Sequence, residues 1–420
     1  MPFETLQDWL TWQESLHPKE IDLGLERVKR VYEAIKLRGA KPLTITVGGT
    51  NGKGSCIAFL ESILREEGYR VGAYTSPHLV RYNERIRVNG EPVGDEAICA
   101  AFERIERVRN GTSLSFFEFG TLAALDLFDR AGLDVQLLEV GLGGRFDAVN
   151  IIDADACIVT SICIDHSDWL GETREAIGQE KAGIFREAMP AIIGDPDPPK
   201  SLLRCAESGN VPTFCIGRDF FFEKMPGGWA WHSGAVSLAD LPNPALQGDH
   251  QFMNASAVVK VLFAVSDRLP VSEASMRKGL QNVTLSGRFQ YIPGDVPVLL
   301  DVAHNPEAAR KLAAYLHQSF SGKCIHAVFA IMRDKDMDGV VNAMKDVVNQ
   351  WYLSPLAIER SAKEPALLAA FARCAVDRVS SGFEGFADAF GAAGQHAKEN
   401  DLIVIFGSFF LVSEYLKATG

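Results

Sequence analysis

The sequence lacks long hydrophobic runs. The longest, residues 402–412, is interrupted by Gly407 and Ser408, and it falls short of the roughly 18 apolar residues that span a bilayer. Residues 1–4 carry neither a basic segment nor an apolar one, so they do not match a secretory signal. We therefore expect a cytoplasmic protein without membrane contact. The chain has 420 residues, of which 47% are hydrophobic, enough for about two or three domains with sizeable cores.

Cysteine is scarce as well. The eight cysteines include no C-x-x-C pair, a spacing that is typical of zinc and redox sites. Four of them lie in apolar segments: Cys56, Cys99, Cys157 and Cys163. We expect free, buried thiols rather than disulfides or structural zinc.

Positive charge is also in short supply. The chain has 42 lysines and arginines against 54 aspartates and glutamates, which gives a formal net charge of −12. This balance argues against nucleic acid as a partner. If such a protein binds a nucleotide, the positive charge must be supplied locally, by magnesium and by a few lysines and arginines.

One glycine-rich segment suggests where a nucleotide binds. Residues 43–47 favour a β-strand, glycines follow, and a helix is predicted from about 55 to 67. Such a strand, turn and helix let backbone N–H groups approach phosphate oxygens, with Lys53 as a point charge. The pattern departs from the general P-loop, because Gly54 follows the lysine and the hydroxyl comes one residue later, at Ser55. We interpret the segment as a triphosphate-binding loop.

Further apolar strands are predicted at 70–74, 134–140 and 156–164, with helices between them. Alternating helices and near-continuous apolar strands indicate a parallel sheet, in which ligands bind at the carboxyl ends of the strands. The predicted strands end in polar residues, which we expect to converge on one crevice: Ser76, Glu139, Asp165 and His166.

The second half of the chain divides into two parts. Short β-like runs between 211 and 238, including 213–216, alternate with glycine and proline turns and predict a small antiparallel lobe. Residues 247–254 then open a helix that is predicted to run to about residue 268, and a further helix is predicted near 273–281. Beyond a boundary near Ser286, helices alternate with strands predicted at 298–302, 325–331, 350–353, 376–379 and 402–406.

Three kinds of chemistry fit these strand ends. Magnesium prefers oxygen ligands and keeps several waters, so Glu139 and Ser76 suit it, whereas a histidine such as His166 is less typical. A Ser/His/Asp hydrolase is a weak alternative, because Ser76 precedes a proline and the G-x-S-x-G turn is missing. A phosphate-loop switch or motor is the better alternative, although it would need neither the second α/β part nor the strand end at His304.

Taken together, the motifs resemble the folylpolyglutamate synthase branch of the Mur ligase family. They follow one another along nearly the whole chain: GTNGKGS (49–55), TSPHL (75–79), EVGLGGR (139–145), DH (165–166), EKAGIF (180–185), GRF (287–289) and DVAHNP (301–306). The resemblance implies an α/β protein with two domains and an active site between them. The N-terminal domain, residues 1–286, would be a P-loop ATPase domain with a mostly parallel sheet and a small β lobe at about 211–240. The C-terminal domain, residues 287–420, would be a Rossmann-like glutamate ligase domain.

The activity that the resemblance implies is ATP-dependent amide ligation. A carboxylate is ionised at neutral pH and resists attack by an amine. Transfer of the γ-phosphoryl group of ATP to it gives an acyl phosphate, which the amino group of glutamate attacks. The protein's part is mainly positioning and charge neutralisation.

The resemblance also implies ATP and two magnesium ions as cofactors and assigns residues to them. The phosphate loop is matched by Gly49, Asn51, Gly52, Lys53, Gly54 and Ser55, and the metal positions are matched by Ser76, Glu139 and His166. The nucleotide contacts are matched by Asn254, Arg288 and Asp301. Lys181, which on its own pattern is a surface lysine, matches a lysine that is carbamylated in this family. The expected catalytic residues are Lys53, Lys181 and His304.

The bifunctional bacterial members of the family also make dihydrofolate from dihydropteroate. Three segments resemble those that hold the pterin-bearing substrate: Asp22, Leu23 and Gly24; Ser115, Phe116, Phe117 and Glu118; Phe146, Asp147 and Ala148. On pattern alone, Asp22 is equally a helix N-cap. Phe117 could stack on a flat pterin, and Phe116 and Phe117 are equally candidates for the core.

We therefore expect L-glutamate to be added both to dihydropteroate and to the γ-carboxyl group of reduced folates. A synthase that acts only on preformed folates is the alternative. The expected partners are small molecules alone (ATP, L-glutamate, dihydropteroate and reduced folates), and we expect a monomer.

Overall fold

The structure, a computed structural model, describes residues 3–17, 22–37 and 39–419. It divides into two compact units. The first comprises Met1–Ala245 and Phe252–Val283, and the second comprises Leu246–Gln251 and Thr284–Gly420. The sequence does not indicate that residues 246–251 group with the second unit. The division into domains 1–286 and 287–420 stays a prediction.

An eight-stranded sheet organises the first unit. Its order is β4-β3-β2-β5-β1-β6-β7-β8; β3 and β4 form an antiparallel edge, and the other strands are parallel. Val47 pairs in register with Glu139 on one side and with Ile158 on the other. The mostly parallel sheet is confirmed. The strands are β1 (Leu43–Gly48), β2 (Val71–Tyr74), β3 (Ile86–Val88), β4 (Glu91–Pro92), β5 (Val135–Glu139), β6 (Ala156–Val159), β7 (Ala191–Ile193) and β8 (Thr213–Cys215).

Helices pack against this sheet and against one another. They are α1 (Leu6–Leu16), α2 (Glu26–Ile35), α3 (Lys53–Glu66), α4 (Asp95–Arg109), α5 (Phe116–Ala131), α6 (Ser167–Leu170), α7 (Arg174–Lys181), α8 (Lys200–Ser208), α9 (His250–Ala264) and α10 (Glu273–Asn282). Short 3-10 helices lie at Tyr82–Arg85, Ala148–Ile151 and Ala182–Ile184. Helix α3 packs against β1, β2 and β5 and places its N-terminus at the carboxyl end of β1. No described helix is both long enough and apolar enough to cross a bilayer.

An aromatic cluster holds the helices α1, α4 and α5 together. Trp9 is buried with Phe102 and Phe119, and the rings of Phe102 and Phe119 meet edge to face at 5.3 Å. Burying such rings stabilises a core by far more than smaller side chains do. This cluster fixes the start of α5, which carries one of the predicted substrate segments.

The antiparallel lobe is smaller than predicted. It consists of β9 (Phe221–Met225), β10 (Gly228–Ser233) and β11 (Val236–Pro242). The prediction that 213–216 belongs to it is wrong, because β8 pairs in parallel with β7 at the edge of the large sheet. Helix α8 connects these two strands, and a strand–helix–strand crossover favours parallel pairing in one sheet.

A six-stranded sheet organises the second unit. Its order is β12-β13-β17-β14-β15-β16, with β12 and β13 antiparallel and the remaining pairs parallel. The strands are β12 (Gln290–Ile292), β13 (Val298–Leu300), β14 (Ile325–Phe329), β15 (Gln350–Leu353), β16 (Val379–Ser380) and β17 (Leu402–Phe406). The helices are α11 (Pro306–Ser319), α12 (Met337–Met344), α13 (Glu364–Arg373), α14 (Phe386–His396) and α15 (Phe409–Thr419). The predicted α/β class is confirmed for both units.

All eight cysteines are free, as predicted. Cys56 and Cys157 are buried, whereas Cys99 and Cys163 are only half-buried. The expectation of burial is therefore wrong for Cys99 and Cys163. Burial raises the pKa of the Cys99 thiol above its ordinary value, and the neighbouring charge of Asp95 adds to the shift.

Candidate active site

The glycine-rich segment forms a tight loop between β1 and α3. Gly52 precedes the helix with a φ of +98°, a backbone conformation that L side chains rarely adopt. A β-carbon there would lie 2.7 Å from Oδ1 of Asn254. Gly52, at the N-cap position of α3, has no side chain that could cap the helix. Backbone N–H groups at the N-terminus of a helix favour an anion such as phosphate.

The phosphate loop is fastened to the segment that follows β6. Thr50 donates its N–H to the carbonyl oxygen of Ser161 (2.8 Å), and the N–H of Cys163 donates to Oγ1 of Thr50 (3.2 Å). Asn51 forms a β-bridge with Ser161. These bonds explain why β6 ends at Val159 rather than continuing to residue 164 as predicted.

Two lysines meet at this loop. Nζ of Lys53 donates to the carbonyl oxygens of Gly49 (3.3 Å) and Thr50 (3.1 Å). Nζ of Lys181 donates to the same Gly49 oxygen (2.8 Å), and Lys181 is only 3% exposed. Interpreting Lys181 as a surface lysine is therefore wrong. Burial lowers its pKa to about 7, and the charge of Lys53 adds to the shift.

A buried carboxylate lies against the loop. Glu139 ends β5, is 5% exposed and accepts the N–H of Ser76 at Oε2 (3.1 Å). A β-carbon on Gly54 would lie 4.0 Å from both of its carboxylate oxygens. The structure thus brings Ser76 and Glu139 to the phosphate loop, where Ser55 is also buried.

His166 lies in the segment after β6, immediately before α6. It has a positive φ of 53°, and its N–H donates to Oδ1 of the preceding Asp165 (2.9 Å). Ser161 and Cys163 of the same segment are hydrogen-bonded to Thr50 of the phosphate loop. His166 comes shortly after them in the chain. Its role as a metal ligand stays a prediction.

Asp147 organises the turn after β5. Its carboxylate accepts the N–H groups of Leu142 (2.8 Å) and Val149 (3.1 Å). Burial raises its pKa to about 6, and the hydrogen bonds from the backbone oppose the shift. The predicted substrate contact of Asp147 stays a prediction. The geometry adds a positioning role that sequence reasoning missed.

Arg27 joins two of the predicted substrate segments, and sequence reasoning missed it. Its guanidinium donates to the Asp22 carboxylate and carbonyl oxygen, and also to Oε1 of Glu118 (3.0 Å). His17 contacts the same Asp22 carboxylate (3.1 Å). The N-cap interpretation of Asp22 is wrong, because α2 begins after Leu25, and Asp22 is engaged with Arg27 instead. Asp22 and Arg27 are five positions apart, outside the i,i+3 and i,i+4 spacings that indicate an ion pair on a helix, so no pattern in the sequence indicated this contact.

The N-cap of α5 explains two other residues of these segments. Ser115 and Glu118 form a capping box, in which each side chain accepts the backbone N–H of the other. Leu23 and Gly24 lie beside Asp22 and are half-buried. The segments 22–24 and 115–118 are therefore held together through Arg27.

The aromatic candidates differ in exposure. Phe116 and Phe117 are half-buried and pack against the core without being part of it. The ring of Phe117 covers Gly141, where a β-carbon would lie 2.7 Å from its Cζ. Phe146 is 43% exposed, with the Arg145 guanidinium 5.9 Å from its ring centre, whereas Ala148 is buried.

In the second unit, the predicted nucleotide residues lie around the end of β13. The Asp301 carboxylate accepts the N–H groups of Phe289 (3.1 Å) and Ala303 (2.8 Å). Burial raises its pKa to about 6, and Arg288 opposes the shift. The Arg288 guanidinium lies 5.0 Å from the Phe409 ring centre, and the His304 ring lies 6.0 Å from it. These residues form one cluster, whereas Asn254 lies beside the phosphate loop of the first unit.

Comparison with known proteins identifies the family. The family described as "Mur ligase, glutamate ligase domain" matches residues 287–409. The dihydrofolate synthase/folylpolyglutamate synthase of Escherichia coli (strain K12) is 42% identical over 414 residues, which cover 98% of this chain and 95% of that protein. The chain belongs to the dihydrofolate synthase/folylpolyglutamate synthase family.

Solved structures agree with this family membership. The structure of E. coli FolC in complex with DHPP and ADP has a TM-score of 0.94 and 41% identity, covering 100% of this chain and 99% of that one. A bifunctional folylpolyglutamate synthase/dihydrofolate synthase with Mn, AMPPNP and L-glutamate bound has a TM-score of 0.91 and 41% identity. The match covers 99% of this chain and 98% of that one. The resemblance drawn from the motifs and the predicted enzyme class, a Mur-type ligase, are thereby confirmed.

Proposed function

We propose that the chain catalyses the ATP-dependent addition of L-glutamate to dihydropteroate and to the γ-carboxyl group of reduced folates. The names of its family members support this proposal, since the bifunctional enzymes carry both activities in their name. Solved relatives bind ADP with DHPP, and AMPPNP with L-glutamate. Each activity joins a carboxylate and an amine, so one site serves both.

The chemistry requires activation of the acceptor carboxylate. Its oxygen attacks the γ-phosphorus of ATP, ADP leaves, and an acyl phosphate forms. The amino group of glutamate then attacks the carbonyl carbon, phosphate leaves, and the amide remains after loss of a proton. Most of the catalytic effect comes from positioning the reactants and stabilising negative charge.

One observation carries the proposal: two lysines converge on the Gly49 carbonyl oxygen, next to a buried glutamate. Lys53 supplies a cation at the N-terminus of α3, where ATP phosphates would bind. The Glu139 carboxylate lies beside Gly54 and is held by the N–H of Ser76. A site that gathers both signs of charge at a glycine loop suits phosphoryl transfer assisted by a divalent ion.

Ser76, Glu139 and His166 would hold that ion. A buried carboxylate beside a phosphate loop fits magnesium or manganese, which take one or two protein oxygens together with nucleotide phosphates. The ion, when bound, would neutralise charge on the phosphates and on the acceptor. The residues of this chain orient it: the N–H of Ser76 fixes the Glu139 carboxylate, and Asp165 fixes the backbone of His166.

Lys181 is proposed to carry a carbamate. Its pKa of about 7 leaves a large fraction of the amine neutral at physiological pH. A neutral amine adds to carbon dioxide, releases one proton and becomes an anionic carbamate. The proposed carbamate places an acidic group beside the phosphate loop, where a second metal ion would bind.

The remaining assignments follow the same logic. We propose that the segments 22–24, 115–118 and 146–148 hold the pterin-bearing substrate, with Arg27 as the link between the first two. Asn254 beside Gly52, and Arg288, Asp301 and His304 in the second unit, are proposed to contact the nucleotide. We propose a monomer that acts on small molecules alone.

The test is phosphate release by the purified chain with ATP, magnesium and L-glutamate, supplied with either dihydropteroate or tetrahydrofolate. Release with both acceptors, each requiring glutamate, is the expected result. Release with tetrahydrofolate alone would restrict the chain to folylpolyglutamate synthesis. ATP hydrolysis that is indifferent to both acceptors would contradict the ligase proposal and favour a phosphate-loop switch.

A further inference from the structure

Three side chains of the kinds that bind metal ions lie at the amino-terminal ends of two neighbouring strands in the second unit's sheet. Cys324 directly precedes β14, His326 lies within it, and Asp401 directly precedes β17. The two strands are parallel neighbours, and the N–H of Leu402 donates to the carbonyl oxygen of Cys324 (2.9 Å). Because residues two apart in a strand share a face, Cys324 and His326 project to the same side.

Three donor atoms of different kinds converge there. Sγ of Cys324 lies 3.6 Å from Nε2 of His326, and Oδ2 of Asp401 lies 3.3 Å from the same nitrogen. All three atoms lie within 4.8 Å of one another. A tetrahedral zinc ion at about 2.0–2.3 Å from sulfur, nitrogen and oxygen ligands keeps those ligands about 3.3–3.6 Å apart. Both distances from the ring nitrogen match this spacing.

Hydrogen bonding accounts for only one of the two contacts at Nε2 of His326. Nε2 carries either a proton or a lone pair, so it donates to Asp401 or accepts from the Cys324 thiol, but does not do both at once. A divalent ion takes an electron pair from all three groups together, and the thiol proton passes to solvent.

The other ring nitrogen has the partner that a metal-bound histidine needs. Nδ1 of His326 lies 3.1 Å from the hydroxyl oxygen of Tyr352, which lies 3.1 Å from Nδ1 of His396. With Nε2 bound to an ion, Nδ1–H donates to Tyr352, and the Tyr352 hydroxyl donates to His396. Such outer partners orient metal-bound histidines.

We propose that Cys324, His326 and Asp401 bind a divalent ion of the zinc type, with water as the fourth ligand. His326 is 5% exposed, whereas Cys324 and Asp401 are half-buried, so an ion can enter from solvent. The ion ties together the starts of β14 and β17 and stabilises the second unit. Asp301 lies at the carboxyl end of β13, which is parallel to β17. The proposed metal site, at the amino-terminal ends of β14 and β17, therefore lies at the opposite end of the strands from the proposed nucleotide residues.

Cobalt(II) is the probe, because a thiolate ligand gives it a charge-transfer absorption band that oxygen and nitrogen ligands do not. The full-length chain, freed of metal by a chelator and kept reduced without nucleotide, is titrated with cobalt and then with zinc. We expect a thiolate band that zinc abolishes, and a melting temperature that rises with zinc. Cys324→Ser should lose both responses. The matched control is Cys163→Ser, which removes the half-buried thiol nearest the phosphate loop and should keep both.

Asp401→Asn gives a second variant, since its amide oxygen can still accept the N–H of Lys398 that now binds Asp401 (2.8 Å). We expect its cobalt affinity to fall at least about tenfold, because it removes an anionic ligand. Absence of a thiolate band in the unaltered chain overturns the proposal, whether or not any variant folds. A band that survives Cys324→Ser, or that disappears with Cys163→Ser, overturns it as well.

Discussion

In the turns after β5 and β13, a buried aspartate stabilises the backbone of its turn in the same way. Asp147 and Asp301 each accept two backbone N–H groups, and burial raises the pKa of each to about 6. The cations around them differ. The turn in the first unit faces two lysines that share one carbonyl oxygen, whereas the turn in the second unit has Arg288 above the ring of Phe409.

This difference indicates a division of labour. A lysine is a compact point charge, suited to a phosphate whose charge shifts during reaction, whereas an arginine presents a planar fork that stacks and binds in a fixed geometry. We therefore expect changes in the lysine cluster to lower kcat and changes around Arg288 to raise the KM for ATP. The following predictions test this contrast, from the largest expected effect to the smallest.

Lys53→Ala should lower kcat by at least about 100-fold, because it removes a positive charge aimed at the transferring phosphate. The measurement is phosphate release with saturating ATP and tetrahydrofolate. Lys41→Ala is the matched control, since its ammonium bonds only to the carbonyl oxygen of Asp153 among the bonds described. An unchanged kcat in Lys53→Ala would contradict the claim that the lysine cluster takes part in phosphoryl transfer.

Lys181→Ala should also lower kcat by about 100-fold, and short carboxylic acids such as acetate should restore part of it. The acid would occupy the space left by the proposed carbamate. Lys181→Leu fills that space and should not be rescued. Unchanged turnover, or equal rescue of both variants, would contradict the carbamate.

Arg288→Ala should raise the KM for ATP about tenfold and change kcat far less, since the loss corresponds to roughly one charge-assisted hydrogen bond or stacking contact. Steady-state kinetics over a range of ATP concentrations provide the measurement. Arg310→Ala, which changes an exposed arginine of the same unit, should leave both constants as they are. If Arg288→Ala lowers kcat as strongly as Lys53→Ala, the proposed contrast between the units fails.

Gly52→Ala should lower the free energy of unfolding by about 1–3 kcal/mol, because it combines a strained φ with a collision against Asn254. Gly68→Ala is the matched control. Its φ is similar, at +96°, but a β-carbon there meets nothing within 4 Å. Urea unfolding of both variants separates backbone strain from the loss of space, and equal stabilities would show that Asn254 moves aside freely.

The pH dependence of stability tests the environment of Lys181. Its pKa falls from 10.5 to about 7 on folding, so between these values the unfolded chain binds the proton and the folded chain does not. Stability should therefore rise with pH across this window, by up to about 1.4 kcal/mol per pH unit from this group. Lys181→Met should be more stable than the unaltered chain near neutral pH, with a gap that narrows toward pH 10, when both are unfolded by urea without carbon dioxide. A constant gap would contradict the buried neutral amine.

Local patterns predicted the parts of the molecule that depend on neighbouring residues. The loop around Lys53 and the strand ends at Ser76 and Glu139 could be placed because glycine turns and apolar strands have short signatures. The pairing of β8 could not, since three residues carry no period that tells a parallel edge from an antiparallel lobe.

Contacts between residues far apart in the chain could not be predicted from the sequence. Arg27 reaches Glu118 across 91 positions, and His326 reaches Asp401 across 75. The burial of Lys181 depends on the loop at Gly49, 132 positions away. No single-sequence pattern encodes such pairings, and only the motif resemblance set Lys181 apart from a surface lysine.

The central claim is that the acceptor carboxylate is activated as an acyl phosphate. It is tested most directly by labelling the carboxyl group of dihydropteroate with a heavy oxygen isotope and analysing the phosphate released by mass spectrometry. The account predicts that one labelled oxygen atom per turnover passes from the acceptor into phosphate. Unlabelled phosphate, released together with an amide product, would contradict it.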